Sequence, residues 1–344
     1  MAKKTDWPAL ATRLAELFPR PALHPAVVAW AEGDSAAARG AWAVAFSGGA
    51  DSLALLLLLS AHWPKQRARL LALHFNHRLR GRDSTADARF CARVCSALGV
   101  RFVGGEWADA RPKASEAEAR TVRFAFFQRE LARHRIRALW LGHQQDDIAE
   151  TLLMRLARGS GTAGLAAPRP LQFMQAERVH VRPLLTLKKA EIVATLSGLG
   201  VDWREDFSNA TTAYQRNRMR HAVLPEWTAA SEGRDALAGA AWSRELLEED
   251  DVALEAWVDA VSAISVDGKR LDVVKLHGLP RAVVRRSLHR WLVAQADTGD
   301  LSRQGFTLLL AAVERGTFTR FSLGRSGLAV IRKGVLTFEP PTQR

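Results

Sequence analysis

Over the first two thirds of the chain, short apolar runs alternate with longer segments whose apolar residues recur every three to four positions. The runs "AWAVAF", "RLLALHF", "RFVGGEW", "ALWLGH" and "VHVRPLL" predict strands. Between them "DSLALLLLLSAHW", "DARFCARVCSALG" and "EAEARTVRFAFFQRELARH" predict helices, after a leading helix in "WPALATRLAELF". Apolar strands separated by helices predict an α/β fold with a parallel sheet covered on both faces. From about residue 226 the pattern changes to long helices, in "AGAAWSRELLEEDDVALEAWVDAV", "PRAVVRRSLHRWLVAQ" and "SRQGFTLLLAAVERG". A short β tail follows in "FTRFSLG" and "LAVIRKGVLTFEP". Three parts are expected: an N-terminal helical extension over 1–40, the α/β domain over 41–225, and a smaller, mostly helical C-terminal domain over 226–344, with the boundary near Pro225.

The seam between the first strand and its helix reads "FSGGADS". A plain turn needs a glycine or two, but not two hydroxyls and a carboxylate beside them. The same residues suit a phosphate site. Gly48 and Gly49 let backbone N–H groups approach an anion, and the helix beginning at Ala50 presents a partial positive charge. Ser47 and Ser52 can donate to phosphate oxygens, and Asp51 can hold a magnesium ion brought by a nucleotide. In parallel sheets ligands bind beyond the carboxyl ends of the strands, where the strand order reverses, and this loop follows the first strand.

Composition narrows the setting. No run of about 18 apolar residues occurs, so no membrane span is expected. The opening "MAKKTDWPAL" lacks the apolar core and cleavage site of a secretory signal, and a cytoplasmic protein is expected. The two cysteines, Cys91 and Cys95, are four apart in a helical pattern and read as small core residues. The net charge of +13 arises within residues 1–225, which hold 33 basic and 20 acidic side chains. Residues 226–267 hold 2 basic and 11 acidic side chains, and residues 268–344 hold 14 and 5. Two basic surfaces flanking an acidic helical segment suit a polyanion held at both ends; an arginine-rich composition of no functional meaning gives the same counts.

The other strand ends carry polar clusters. The second strand runs into "HFNHRLRGRDS", with His74, Asn76, His77, Arg78 and Arg80 at one sheet edge. The fourth runs into "GHQQDDIAET", where His143, Asp146, Asp147 and Glu150 open a helix. Glu150 and Thr151 there read as complements of the helix dipole. Asp146 and Asp147 would lie beside the phosphate loop and share a metal with Asp51. In "EAEARTVRF", Arg120 and Arg123 lie three apart on one helix face, as an anion clamp or as a solvated stripe. "RLARGSGTAGLAAPRP", which includes Arg158, is a cationic, glycine-rich loop suited to closing over nucleic acid, or an ordinary connection. "REDFSNATTAYQRNRMRHAVLP" places Arg216, Arg218 and Arg220 at alternate helix positions, a spread natural for gripping phosphates.

These segments together resemble the tRNA(Ile)-lysidine synthetases, a family of the PP-loop (N-type) ATP pyrophosphatases. "SGGADS" matches the SGGxDS loop shared across that superfamily. The ordered set "HFNHRLR", "EAEAR…RF", "GHQQDDIAET", "RGSGTAGL", "RPLL" and "EDFSN…YQRNRMRHAVLP" is specific to the narrower family and covers roughly residues 41–225. Two departures are Gln144, where the family usually has His, and "GLAAP", where GLxGM is common. Residues 226–344 match only loosely.

The resemblance implies a Rossmann-like fold and a two-step ligation using ATP and Mg²⁺. The C2 oxygen of the first anticodon cytidine of an isoleucine tRNA with a CAU anticodon is adenylated, and the ε-amine of free lysine then expels AMP. It implies that Ser47, Gly48, Gly49, Ala50, Asp51 and Ser52 hold pyrophosphate, that Asp51 and Asp147 position Mg²⁺, and that Arg120 and Arg123 steady the adenylate or the cytosine. His74, His77 and His143 are candidate bases. Lysine needs an acidic partner among Asp146, Glu150, Glu116 and Glu118, with Asp146 or Glu116 favoured. The arginines at 80, 158, 216, 218 and 220, with Asn76, are expected along the RNA. Pairing of two copies stays open. Two alternatives use the same loop: a tRNA thiolase, which needs activated sulfur usually carried near the site by cysteines, and a nucleotide-binding sensor with no chemistry.

Overall fold

The computed structural model describes residues 5–77, 82–108, 115–204, 215–295 and 301–341, with backbone alone for 82–84 and 116. It divides into two compact units, 1–247 and 248–344. The first unit runs past the boundary expected near Pro225, and the division falls inside the 26-residue helix Ala236–Val261.

The first unit is built on a six-stranded sheet: β1 (Trp42–Ala45), β2 (Leu70–Asn76), β3 (Arg101–Glu106), β4 (Ala138–Trp140), β5 (Leu171–Phe173) and β6 (Val179–Val181). Its order is β3-β2-β1-β4-β6-β5. All neighbours pair in parallel except β5, an antiparallel edge strand too short and polar to announce itself in the sequence. Alternate residues of each strand serve two different cores. Trp42, Val44, Leu70, Ala72, Ala138 and Trp140 pack under the helix Ala50–His62, whose thirteen residues include ten buried ones. Ala43, Leu71, Leu73 and Leu139 pack against Phe126, Phe127 and Leu131 of the helix Glu116–Arg133 on the opposite face. The period of two in each strand produces this two-sided burial.

The segment before β1, expected as an extension, shares the first of these cores. Leu14 and Val27 from the helices before β1, and Leu23 between them, are buried beside Leu53–Leu59. At the same place three indoles cluster around Trp42, with ring centroids 4.6 Å away for Trp140, 5.8 Å for Trp63 and 6.4 Å for Trp30. The Trp42 indole Nε1–H donates to the Ala38 carbonyl at 2.9 Å, so its own polar atom is matched on burial. Trp42→Ala is expected to cost about 3–5 kcal/mol, read as a lowered urea midpoint.

The second unit has a four-stranded antiparallel sheet of β7 (Arg270–Asp272), β8 (Thr319–Ser322), β9 (Leu328–Arg332) and β10 (Val335–Glu339), in the order β7-β10-β9-β8. It packs on the helices Arg281–Ala294 and Arg303–Arg315 through Leu271, Leu288, Trp291, Leu309, Ile331 and Leu336. The acidic run read from the sequence is not a surface of its own. Asp251 and Glu255 receive Arg286 at 2.6 and 2.7 Å, and Arg290 pairs with Glu255 and Asp259. Part of the basic excess after residue 268 is thus neutralised within the unit.

Candidate active site

Strand order reverses between β1 and β4, because the chain builds outward from β1 through β2 to β3 and then returns to add β4 on the other side of β1. The crevice at such a reversal lies beyond the carboxyl ends of the two strands. Here it receives the "SGGADS" loop after β1 and "GHQQDD" after β4. The two approach closely. A Cβ on Gly142 would sit 3.1 Å from the Asp51 carbonyl carbon and oxygen, so the segment after β4 lies tightly against the start of the loop helix and a side chain there would crowd it.

The loop is cross-linked by its own hydroxyls. Ser52 Oγ accepts from the Ser47 N–H at 3.2 Å, lies 3.0 Å from Ser47 Oγ and donates to the Gly49 carbonyl at 3.0 Å. Gly48 adopts φ +92, a conformation that side chains disfavour, and a Cβ there would meet Cys91 Sγ at 3.0 Å. Asp51, in the first turn of the helix, keeps Oδ1 buried with no hydrogen-bond partner among the described residues. Burial pushes its carboxyl up to about 6; Asp147 and Asp146 push the same way, against Lys189 and Arg220. A buried carboxylate oxygen without a partner fits a hard cation. Among the described residues no group of three or more acidic, His or Cys side chains forms a complete metal cage. Magnesium needs none, since it is commonly held by one or two carboxylates and the phosphates it accompanies.

Asp147 and Glu150 are one turn apart on the helix Gln145–Ala157 and meet two arginines arriving from 215–223. Arg216 donates Nη2–H to Asp147 Oδ1 and Nε–H to Glu150 Oε2, both at 2.6 Å. Arg220 donates Nε–H to Glu150 Oε1 at 2.6 Å and lies 3.5 Å from Asp147. Arg216 and Arg220 are four residues apart and share a helix face, whereas Arg218 is exposed. The spread expected to grip phosphates therefore resolves into two inward arginines and one outward. Glu150, expected to complement a dipole or to stand among the candidate partners of lysine, is fully buried and joins both arginines. Burial alone would raise the Asp147 carboxyl, but Arg216, His143, the Gln144 N–H and Arg220 hold it below the usual carboxylate range. Asp147 Oδ2 accepts that N–H at 3.0 Å.

The remaining expected residues are placed as follows. Asp146 Oδ2 accepts from the Lys189 N–H at 3.0 Å and so caps the following helix. Glu118 and Ser115 form a capping box, and the Glu116 side chain lies outside the described residues. Gln144, in the family's histidine position, is completely buried and accepts from the Asp146 N–H at 2.6 Å. His74 is buried with Nδ1 2.9 Å from the Phe46 carbonyl, so it braces the root of the loop. Burial lowers its pKa, with opposing contributions from the Phe46 contact and Asp87. His77 packs against Phe75 and Trp107, with Asn76 ending β2. Arg80 lies outside the described residues. His143 follows β4; burial pushes it down to about 3, opposed by Asp147 and assisted by Arg182, Arg216 and Arg120. Its imidazole is neutral in the ligand-free protein. Arg120 and Arg123 flank the Phe124 ring, 4.7 and 5.9 Å from its centroid. Arg120 and Phe124 line a depression of about 330 Å³ with Thr121, Ala125 and Gln128. Arg158 donates to Gln215 Oε1 at 3.2 Å, tying the glycine-rich loop to the arginine segment.

One site residue was missed. Arg182 follows β6, is 4% exposed, and donates to the Arg169 carbonyl and Gln172 Oε1 at 2.7 and 2.9 Å, while its Nε lacks a partner. Burial, then Arg120, push it down to about 10 against the pull of Asp147. The signal was available: an arginine directly after an alternating "VHV" must emerge at the same sheet edge as the other strand ends.

Comparison with known proteins agrees with this geometry. Residues 27–227 match the model of the PP-loop domain family. The tRNA(Ile)-lysidine synthase of Geobacter sulfurreducens is 38% identical over 274 residues, covering 76% of this chain and 56% of that protein. That of Nitratidesulfovibrio vulgaris is 33% identical over 328 residues, covering 87% and 92%. The chain thus spans a little over half the length of the first relative and nearly all of the second. Among solved structures, a U34-tRNA thiolase from Methanococcus maripaludis shares the fold at a TM-score of 0.50 and 17% identity, over 70% of this chain and 78% of that one. By the match of its α/β unit and its similarity to a relative along nearly the whole of that relative's length, the chain belongs to the tRNA(Ile)-lysidine synthase family of PP-loop proteins.

Proposed function

We propose that the chain uses ATP to join free lysine to C2 of the first anticodon cytidine of an isoleucine tRNA bearing CAU, giving lysidine. The observation that carries this is the junction of Asp51 and the phosphate loop with the Asp147–Glu150 helix at the strand-order reversal. In the first step the cytidine O2 attacks the α-phosphorus of ATP and pyrophosphate leaves onto the N–H groups and hydroxyls of Ser47–Ser52. Magnesium, when bound, would be held by Asp51 and Asp147 and would offset phosphate charge. In the second step the lysine amine attacks C2, AMP leaves, and the amine proton passes to a base. His143, neutral and beside Asp147, is the proposed acceptor among the three imidazoles. The cytidine must be splayed from its stack, and the depression around Phe124, flanked by Arg120 and Arg123, offers a ring to stack on and charge to hold phosphate.

The sulfur chemistry of a thiolase finds no support in the thiols. Cys91 and Cys95 are buried, and burial pushes Cys95 up to about 12 and Cys91 higher still, so both stay protonated and poorly nucleophilic. Pyrophosphate release is expected to require tRNA, and radiolabelled lysine is expected to enter unmodified isoleucine tRNA with a CAU anticodon. Binding should weaken steeply between low and moderate salt, because the basic side chains meet phosphate. Sulfur incorporation without lysine incorporation, or pyrophosphate release indifferent to tRNA, would overturn the proposal.

A further inference from the structure

The loop of the proposed ATP site is gripped from outside by Arg204, which opens the segment "REDFSNATTAYQRNRMRHAVLP" and received no role there. The Arg204 backbone N–H donates to the Gly48 carbonyl at 2.9 Å. Its side-chain stem lies against Gly48, since a Cβ on that glycine would meet Arg204 Cγ at 3.4 Å and Cβ at 3.5 Å. Its carbonyl oxygen lies 3.7 Å from where a Cβ on Gly49 would be. Arg204 therefore wraps the two glycines whose backbone would approach an anion.

The guanidinium is fixed at one point. Nε–H donates to Asp87 Oδ1 at 2.6 Å, with Asp87 13% exposed and Arg204 41% exposed at their side chains. Asp87 belongs to the helix Arg82–Leu98, which also carries Cys91 against Gly48. A guanidinium has five N–H donors. With Nε engaged, its two Nη groups have no partner among the described residues. The free edge is the fork that meets two phosphate oxygens at once. Asp87 balances the charge while the loop is empty and restricts the rotamers, so little entropy remains to be lost on binding.

We propose that Arg204, anchored by Asp87, is a phosphate-binding residue that receives the pyrophosphate leaving group in a two-pronged contact at the rim of the glycine loop. The inference rests on the assignment of Ser47–Ser52 as the pyrophosphate loop. It adds a cation to a site whose motif residues supply hydroxyls, N–H groups and one carboxylate.

The test is calorimetric titration of magnesium pyrophosphate and, separately, of AMP into the full chain and into Arg204→Gln, Arg204→Lys and Asp87→Asn. Arg204→Gln is expected to weaken pyrophosphate about tenfold to a hundredfold, the range of a lost charge-assisted contact, and to leave AMP within about twofold. Arg204→Lys keeps the charge without the fork and should fall between Arg204→Gln and wild type. Asp87→Asn should lose less than Arg204→Gln, because the guanidinium remains. Pyrophosphate affinity unchanged in Arg204→Gln would overturn the proposal, as would equal losses for pyrophosphate and AMP, which mark a merely structural brace. Should Arg204→Gln fail to fold, Arg204→Lys decides by the same two ligands. Wild-type chain that binds neither ligand would overturn the loop assignment itself and leave the Arg204 geometry as it stands.

Discussion

Asp51→Asn is expected to reduce tRNA-dependent pyrophosphate release by about a thousandfold or more and, in the same protein, to stabilise the ligand-free fold. The first effect follows from removing the charged carboxylate proposed to face magnesium. The second follows from burial: the Asp51 carboxyl is pushed up to about 6 from an ordinary value of 3.8. Because the folded-state pKa is the higher one, ionising this group costs stability. The cost is absent below the unfolded pKa near 3.8, grows as pH rises, and is fully present above about 6. Allowing for partial exposure, relief of that cost is worth about 2 kcal/mol at pH 8. Urea melts of wild type and variant at pH 8 and pH 5 check this. The variant should have the higher midpoint at pH 8, and the difference should shrink at pH 5. Equal midpoints at pH 8 would show that the carboxylate is well solvated, and near-normal turnover would remove Asp51 from the mechanism.

Glu150→Ala is expected to have the largest effect on stability of any single change at the site. The side chain is fully buried, and its two oxygens each receive an arginine Nε–H at 2.6 Å. Removing it leaves two cations facing each other beside Asp147, with two of their donors unmatched. Breaking one side of a buried pair typically costs about 3–5 kcal/mol; Arg216 and Arg220 are 25% and 21% exposed, so about 3 kcal/mol is expected. A cycle with Arg220→Met tests the cause. The double variant should lose clearly less than the sum of the two singles, because each change strands the other's partner. Additive losses would mean that Glu150 acts by packing alone.

The two effects have opposite signs although both residues are buried acids of the same crevice. Asp51 has an oxygen with no partner, and Glu150 has every oxygen matched. An orphaned buried charge is a cost held in reserve for a ligand, and a matched one is structure. Asp146 has one carboxylate oxygen matched by the Lys189 N–H at the start of the helix Lys189–Gly198.

What the amino-acid order determined by itself is whatever depends on near neighbours along the chain. Strand alternation in "AWAVAF" and "RLLALHF", the all-apolar helix of "LALLLLLS" and the glycine–hydroxyl–carboxylate loop are local patterns. They led to a parallel sheet with helices on both faces and to a loop at the end of β1. Antiparallel β5 (Leu171–Phe173) and β7 (Arg270–Asp272) were not read as strands. What only the tertiary structure decided is which charge meets which. Arg216 and Arg220 lie more than sixty positions from Asp147 and Glu150 along the chain, and Arg204 lies 117 from Asp87, yet each pair is in contact. Arginine and carboxylate side chains read alike whether they end in water, on RNA or on each other. Burial and partner geometry separate those fates, and both arise only when distant strands have brought their ends to one edge of the sheet.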